Sequence, residues 1–151
     1  MNSYATPLAE VATRTLEELC FFFAMPLLND EQREAGTDAA MSVRFHGPLS
    51  GRLVVQLAGG MLPMLASNML GDVDGNAAMQ RDALGEVANI VCGNLLPLIG
   101  GSADVYAIDA AMPAVAVERS AQAPVATVHL GLEDAGRADV FLFLDGAQAT
   151  S

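Results

Sequence analysis

The sequence contains no lysine, no tryptophan and only two cysteines among its 151 residues. All seven basic residues are arginine, and eighteen acidic residues give a formal net charge of −11. Nucleic acids and anionic lipid surfaces bind clusters of basic side chains, so the composition excludes nucleic acid and membrane surfaces as partners. A protein partner with a basic rim would instead be attracted by long-range electrostatics.

The two cysteines, Cys20 and Cys92, lie far apart in apolar runs. Two thiols are too few for a disulfide framework or a zinc site, so we predict buried free thiols in a reducing cytoplasm. The first dozen residues carry Glu10 and no cation, which argues against a secretory signal peptide. The longest apolar run, residues 19–28, is about half of what a membrane span needs and contains Pro26. We expect a soluble, cytoplasmic protein.

The length corresponds to about one ordinary domain, and we treat residues 1–151 as a single domain. A composition that is 52% hydrophobic and 17% charged excludes general disorder. Periodicity and turn signals predict the following segments: a helix over 7–25, a polar loop or short turn over 29–40, a hairpin of strands 41–46 and 51–57, helices over 60–70 and about 77–96, strands over 104–110, 113–119, 124–132 and 138–144, and a frayed tail over 146–151. This order is an α+β pattern and implies a largely antiparallel sheet covered by helices.

Few residues offer metal ligation or nucleophilic chemistry. His46 and His129 fall on the polar face of predicted strands, and we interpret both as exposed strand residues. The loop 71–76 contains two Asp and one Asn, but it is too short for an EF-hand and lacks the bidentate Glu. No Ser–His or Cys–His arrangement is visible, so the sequence predicts no metal site and no nucleophile.

The third predicted helix carries a polar stripe. At about 100° per residue, Asp82, Glu86, Asn89 and Gly93 fall within about 60° of one another. A core-facing stripe lies opposite and consists of Leu84, Ala88, Val91, Leu95 and Leu98. The amide of Asn89 can hold and orient a water, and Glu86 can receive a cation from a partner. By spacing alone, a solvated helix face is the more usual explanation of such a stripe.

Gly93 and Pro97 are unusual inside this helix. Gly93 lowers helix stability by roughly 1 kcal/mol relative to Ala, a cost that makes sense if something approaches the helix closely there. Pro97 cannot donate to the carbonyl of Gly93, so we expect the helix to kink or end at Pro97.

The run Asp82-xxx-Glu86-xx-Asn89-xxx-Gly93 resembles the signature helix of the CheC/CheX/FliY-type chemotaxis phosphatases. In that family Asp or Ser is followed by Glu four residues later and by Asn three further on. Pro113 fits the family's strand-opening proline, and the predicted hairpin and second helix are also similar, so the resemblance covers about residues 41–145. Only one Glu-xx-Asn motif is present, which indicates the CheX-like branch, whose members are typically homodimers joined through their sheets.

The resemblance implies hydrolysis of the aspartyl phosphate of a CheY-like response regulator. Asn89 would orient the attacking water, Glu86 would pair with the partner's active-site lysine, and Asp82 and Gly93 would belong to the docking face. The essential Mg²⁺ would be held by the response regulator, and this chain would need no cofactor of its own. Two alternatives stay open: a non-catalytic module of the same fold that docks a signalling or flagellar-switch partner, and a purely structural domain.

Overall fold

The computed structural model describes residues 4–71, 76–102, 105–114 and 122–146. In these ranges the helices are α1 (Ala5–Glu18), α2 (Asp30–Glu34), α3 (Leu62–Leu70) and α4 (Ala77–Gly100). The strands are β1 (Ala24–Met25), β2 (Thr37–His46), β3 (Gly51–Ala58), β4 (Ala107–Ile108), β5 (Met112–Pro113), β6 (Ala126–Leu132) and β7 (Gly136–Leu144).

The strands form one antiparallel sheet. Within the described ranges the order is β1-β6-β7-β3-β2-β4, and β5 also pairs with β2. The predicted hairpin is confirmed, with Val43 opposite Leu53 in the β2–β3 ladder. Long β3 and β7 lie next to each other at the centre, where Val55 is opposite Val140. The α+β class with a largely antiparallel sheet, expected from the element order, is therefore confirmed.

The main core lies between one face of the sheet and the helices. Helix α4 packs on β2 and β3, whereas α1 packs on β6 and against α4. Side chains at alternate strand positions point into this core, as the period of two requires; the largest fully buried ones there include Phe45, Leu53, Leu57, Leu132 and Leu142. The opposite face holds a smaller cluster in which the Arg52 guanidinium lies 3.9 Å from the centre of the buried Phe143 ring. The helices on the first face fix which surface of α4 is left outward.

The first helix is shorter than the predicted 7–25. It ends at Glu18 because Phe21 adopts a left-handed conformation (φ 59°), after which the chain is extended. Cys20, Phe22 and Ala24 are then buried, while Phe21 and Phe23 are exposed. The prediction that the helix continues through residues 19–25 was therefore wrong. A continuous apolar run hides a change from helical to strand periodicity, and this is the physical reason for the error.

The polar stretch 29–40 is not simply a loop. Asn29 and Gln32 form a reciprocal capping box that starts the short helix α2. Strand β2 then begins at Thr37, four residues before the predicted start, because its first residues pair with the end of β3. The second helix of the prediction corresponds closely to α3, with Leu62, Leu65 and Ala66 buried.

The strand predicted over 104–110 is much reduced, and of the strand predicted over 113–119 only residues 113–114 are described. The two predicted strands correspond to the two-residue strands β4 and β5, each paired with the outer edge of β2. The register changes by one residue between Ile108 and Met112, so a continuous ladder cannot form there. Residues 1–3, 72–75, 103–104, 115–121 and 147–151 lie outside the described residues, together with the predictions made for them. The strands predicted over 124–132 and 138–144 are confirmed as β6 and β7.

Cys20 and Cys92 are both free and buried, as predicted. Burial raises the pKa of each thiol to about 12, because the surrounding apolar groups do not solvate a thiolate. Both side chains therefore pack as small hydrophobic groups and are unreactive near neutral pH.

Candidate functional site

Helix α4 begins at a defined cap. The Asn76 side chain accepts a hydrogen bond of 3.0 Å from the Met79 amide, one of the amides that lack a partner inside the helix. The inner surface of α4 carries a wide stripe of buried residues: Gln80, Ala83, Leu84, Gly85, Val87, Ala88, Val91, Cys92, Leu95 and Leu96. Four of the five predicted core positions are confirmed, whereas Leu98 is 58% exposed. Leu98 points outward from the end of α4, whereas Leu95, Leu96 and Ile99 around it pack against the core.

The outward side of α4 carries the four residues singled out by the sequence. Asp82 and Glu86 are exposed, and Asn89 and Gly93 are half-buried. Because all four belong to one continuous helix, the spacing places them on one face, here called the signature face. Among the described residues, the side chains of Asp82, Glu86 and Asn89 make no hydrogen bond and no ion pair with one another or with neighbours. Their polar groups are therefore available to an external partner.

The two glycines near this face have different surroundings. A Cβ atom at Gly93 would meet no heavy atom within 4 Å, so packing in this chain does not require glycine there. A Cβ atom at Gly85, on the buried side, would lie 3.1 Å from Ala111 Cβ and 3.2 Å from Met41 Cε. Gly85 lets α4 approach β2 closely, whereas Gly93 leaves open space on the outside.

Helix α4 does not end at Pro97. It continues to Gly100, so the predicted end near residue 96 was wrong. Proline in a helix removes one hydrogen bond, and its ring crowds the carbonyl four residues earlier. That carbonyl belongs to Gly93, whose missing side chain makes local adjustment easier. After the helix, the Tyr106 hydroxyl donates to the carbonyl of Gly100 at 3.2 Å and the Tyr106 ring packs edge-on against Phe45.

The sequence did not indicate a polar cluster on the sheet face opposite the helices. The buried carboxylate of Asp139 contacts His129 Nδ1 at 2.6 Å and accepts hydrogen bonds from Arg137 Nε at 2.9 Å and Gln56 Nε2 at 2.9 Å. Arg137 also donates to the carbonyls of Gln32 and Arg33 and so fastens α2 to the sheet. A lone Asp in an otherwise apolar strand was the available signal, but the partners come from three strands and cannot be deduced from order alone.

The remaining candidate residues occupy separate places. His46 is exposed, as predicted, and its Nε2 lies 3.5 Å from Asp109 Oδ2. His129 is half-exposed but is held by Asp139, which the sequence did not predict. In the described part of the chain, no group of three or more His, Cys, Asp or Glu side chains is arranged to hold a metal ion. Helix α4 is long and apolar enough to cross a membrane by length and composition, but half of its most apolar stretch is buried against the sheet.

Comparison with known proteins gives the same family as the one that the motif on α4 resembles. Residues 39–129 match the family model described as chemotaxis phosphatase CheX. No curated protein sequence matches the chain significantly.

Several solved structures share the fold. CheX from Vibrio vulnificus is 15% identical, with a TM-score of 0.69, over 94% of this chain and 96% of that one. CheX from Borrelia burgdorferi, solved as a complex with CheY, BeF3 and Mg²⁺, is 15% identical, with a TM-score of 0.66, over 95% and 99% of the two chains. A CheC-like superfamily protein from Shewanella is 16% identical, with a TM-score of 0.60, over 89% and 92%. At these identities the structural likeness concerns the fold.

Proposed function

We propose that this chain, which belongs to the CheX family of chemotaxis phosphatases, hydrolyses the aspartyl phosphate of a CheY-like response regulator. The observation that carries the proposal is the signature face of α4, where Glu86 and Asn89 lie outward in the family's order and spacing. The complex formed by the Borrelia relative supports a CheY-like partner, because that relative was solved bound to CheY.

Asn89 is the proposed water-positioning residue. Its amide can accept a hydrogen bond from a water and donate another to the phosphoryl group, and it has no partner of its own among the described residues. Phosphoryl transfer passes through a loose transition state, so catalysis depends mainly on positioning and electrostatic stabilisation. An amide that holds the attacking water in line with the phosphorus is therefore sufficient chemistry for this chain to supply.

Glu86 is the proposed docking residue. It lies one helical turn before Asn89, is exposed, and can pair with the active-site lysine of the regulator. Asp82 extends the acidic surface by one further turn, and Gly93 leaves room for close approach of the partner. Because the catalytic Mg²⁺ belongs to the regulator in this scheme, this chain needs no metal ligands of its own. This chain and the response regulator would bind each other in the cytoplasm.

The test is the decay of a phosphorylated CheY-like regulator with wild type, Asn89→Ala and Glu86→Ala. We expect Asn89→Ala to slow catalysed decay by about a hundredfold, as loss of positioning commonly does, while binding is retained. Glu86→Ala should mainly weaken binding. The matched control is Asn94→Ala, an exposed Asn on the same helix, which should leave the rate unchanged. Binding without any acceleration by wild type would refute the enzyme and favour the non-catalytic docking module.

We also propose that the chain forms a homodimer through its sheet, at the outer edge of β2. Strands β4 and β5 cover only two residues of β2 each, and large apolar side chains are exposed around them: Val105 is 57%, Ile108 37% and Met112 65% exposed. Sedimentation velocity should give a dimer for wild type and a monomer for Met112→Lys. Met64→Lys, at an exposed methionine on α3, should remain dimeric. A monomeric wild type would contradict this proposal.

A further inference from the structure

Strand β6 is largely uncovered at the opposite edge of the sheet. The edge strand β1 pairs only with Gly131 and Leu132, at the end of β6. It stops there because Pro26 follows Met25 and has no amide hydrogen to donate to the ladder. Residues 126–130 therefore have no neighbouring strand on this side in the part of the chain that the structure describes. An unpaired edge of this kind is a template for pairing with another chain.

A groove runs along this edge, between α1 and β6. Its volume is about 560 Å³, and we call it the edge groove. Ala9, Val128 and Leu130 give it an apolar floor, and Pro26 closes the end nearest β1. A groove beside a free strand edge can accept an extended peptide, with main-chain hydrogen bonds to the edge and alternate side chains in the groove.

The rim of the edge groove is acidic. Glu10, Glu17 and Glu18 on α1 line it and are exposed, against a single cation, Arg14. None of these four side chains forms an ion pair within the described residues. Natural proteins often protect a free sheet edge with lysine, and this sequence contains none. The rim charge favours a basic occupant of the edge groove and repels an acidic one.

Four exposed apolar side chains flank the same edge. Phe21 is 69%, Phe23 77%, Met25 55% and Leu27 83% exposed. These side chains are not exposed because the chain is flexible here: three hydrogen bonds fix the backbone of residues 20–23. The Phe22 amide donates to the Leu16 carbonyl, the Phe23 amide to Glu133 Oε2, and the Asn68 side chain to the Cys20 carbonyl. Phe21 moreover keeps a left-handed conformation (φ 59°), which is costly for a bulky residue. Exposed apolar groups held in fixed positions are typical of interaction surfaces.

We propose that the edge groove binds an extended, basic segment of a protein partner, which pairs with residues 126–130 as an additional strand. Lysine or arginine side chains at alternate positions of the segment point toward α1, with their alkyl parts beside Val128 and Leu130 and their charges near the glutamates of α1. The apolar side chains between them lie on the opposite face of the sheet. The edge groove shares no residue with the signature face, so this inference does not depend on the phosphatase proposal.

The test uses defined peptides and the full, isotope-labelled chain. The probe is a capped nine-residue peptide of alternating valine and lysine, and its counterparts carry glutamate for lysine or N-methyl groups on every second residue. We expect the valine–lysine peptide to shift and protect the amides of residues 126–130 and to shift those of α1. The glutamate peptide should not bind, and N-methylation should weaken binding at least about tenfold, because the main-chain donors are removed.

Charge variants test the rim. The double variant Glu17→Lys, Glu18→Lys should weaken binding of the valine–lysine peptide about tenfold at low salt, because attraction becomes repulsion. It should fold normally, since basic residues near the C-terminus of a helix are favourable. The matched control Glu31→Lys, on the exposed surface of α2, should bind as wild type does. Equal binding of the N-methylated peptide, normal binding by the double variant, or pairing of two copies through β6 would each overturn the proposal.

Discussion

Replacement of Gly93 should make the protein more stable and less active. A side chain at this position enters open space, because no heavy atom lies within 4 Å of the added Cβ. Alanine and leucine both favour a helix interior over glycine, by roughly 0.5–1 kcal/mol. In a chain of this size that gain raises the melting temperature by about 1–4 °C. Gly93→Ala and Gly93→Leu should therefore both melt above wild type when unfolding is followed by circular dichroism.

Gly85→Ala is the internal comparison for stability. The same gain in helix propensity applies, but the new Cβ would lie 3.1 Å from Ala111 Cβ and 3.2 Å from Met41 Cε. Such contacts are tighter than ordinary van der Waals distances, so α4 or its neighbours must shift. We expect Gly85→Ala to be less stable than Gly93→Ala. An equal gain at both positions would refute the distinction between the buried and the outward glycine.

Phosphatase assays test the second part of the prediction, the lower activity of the Gly93 variants. If the regulator approaches α4 closely at Gly93, the catalysed rate should fall in the order Gly, Ala, Leu, although the variants are more stable. Asn94→Ala is the control for a change on an adjacent, exposed position of α4. Full activity of Gly93→Leu would show that the partner does not come close there. A loss of stability in Gly93→Ala would show that glycine is needed by the fold itself.

Two further predictions concern the buried polar groups. Asp139→Ala should lower the free energy of unfolding by about 3–5 kcal/mol in urea titrations, because Arg137 and the other donors lose a buried acceptor. The control Asp145→Ala, which breaks an exposed ion pair with Arg44, should lower it by at most about 1 kcal/mol. Equal losses in the two variants would show that burial of Asp139 does not set the cost. Stability should also fall above about pH 9, because the thiols of the unfolded chain ionise there whereas burial holds the pKa values of the native thiols at about 12. Urea unfolding at about pH 8 and pH 10 should show a smaller fall in a Cys20→Ala, Cys92→Ala double variant, and an identical fall would contradict this cause.

The local periodicities and the signature motif could be obtained from the sequence. Alternation in residues 124–132 marks β6, the β-prone run 140–144 marks β7, and helical spacing places Glu86 and Asn89 on one face of α4. Alternation and helical spacing can be read without tertiary information where one face of an element is buried and the other is solvated, and β7, which is buried on both faces, is marked by its β-branched and aromatic residues instead. The motif order also led to the family that the comparison gives. The chemical roles of these residues stay predictions.

Element ends and long-range contacts were decided by the tertiary structure. The run 19–25 is apolar throughout, so only pairing of β1 with β6 shows where helix changes to strand. Helix α4 continues through Pro97, which local propensity would not predict. The Asp139 cluster and the edge groove each join residues more than a hundred positions apart. The sequence alone determined which face of each element is apolar; the order of strands in the sheet determined which polar groups meet and which edge stays open, because these depend on neighbours that are distant along the chain.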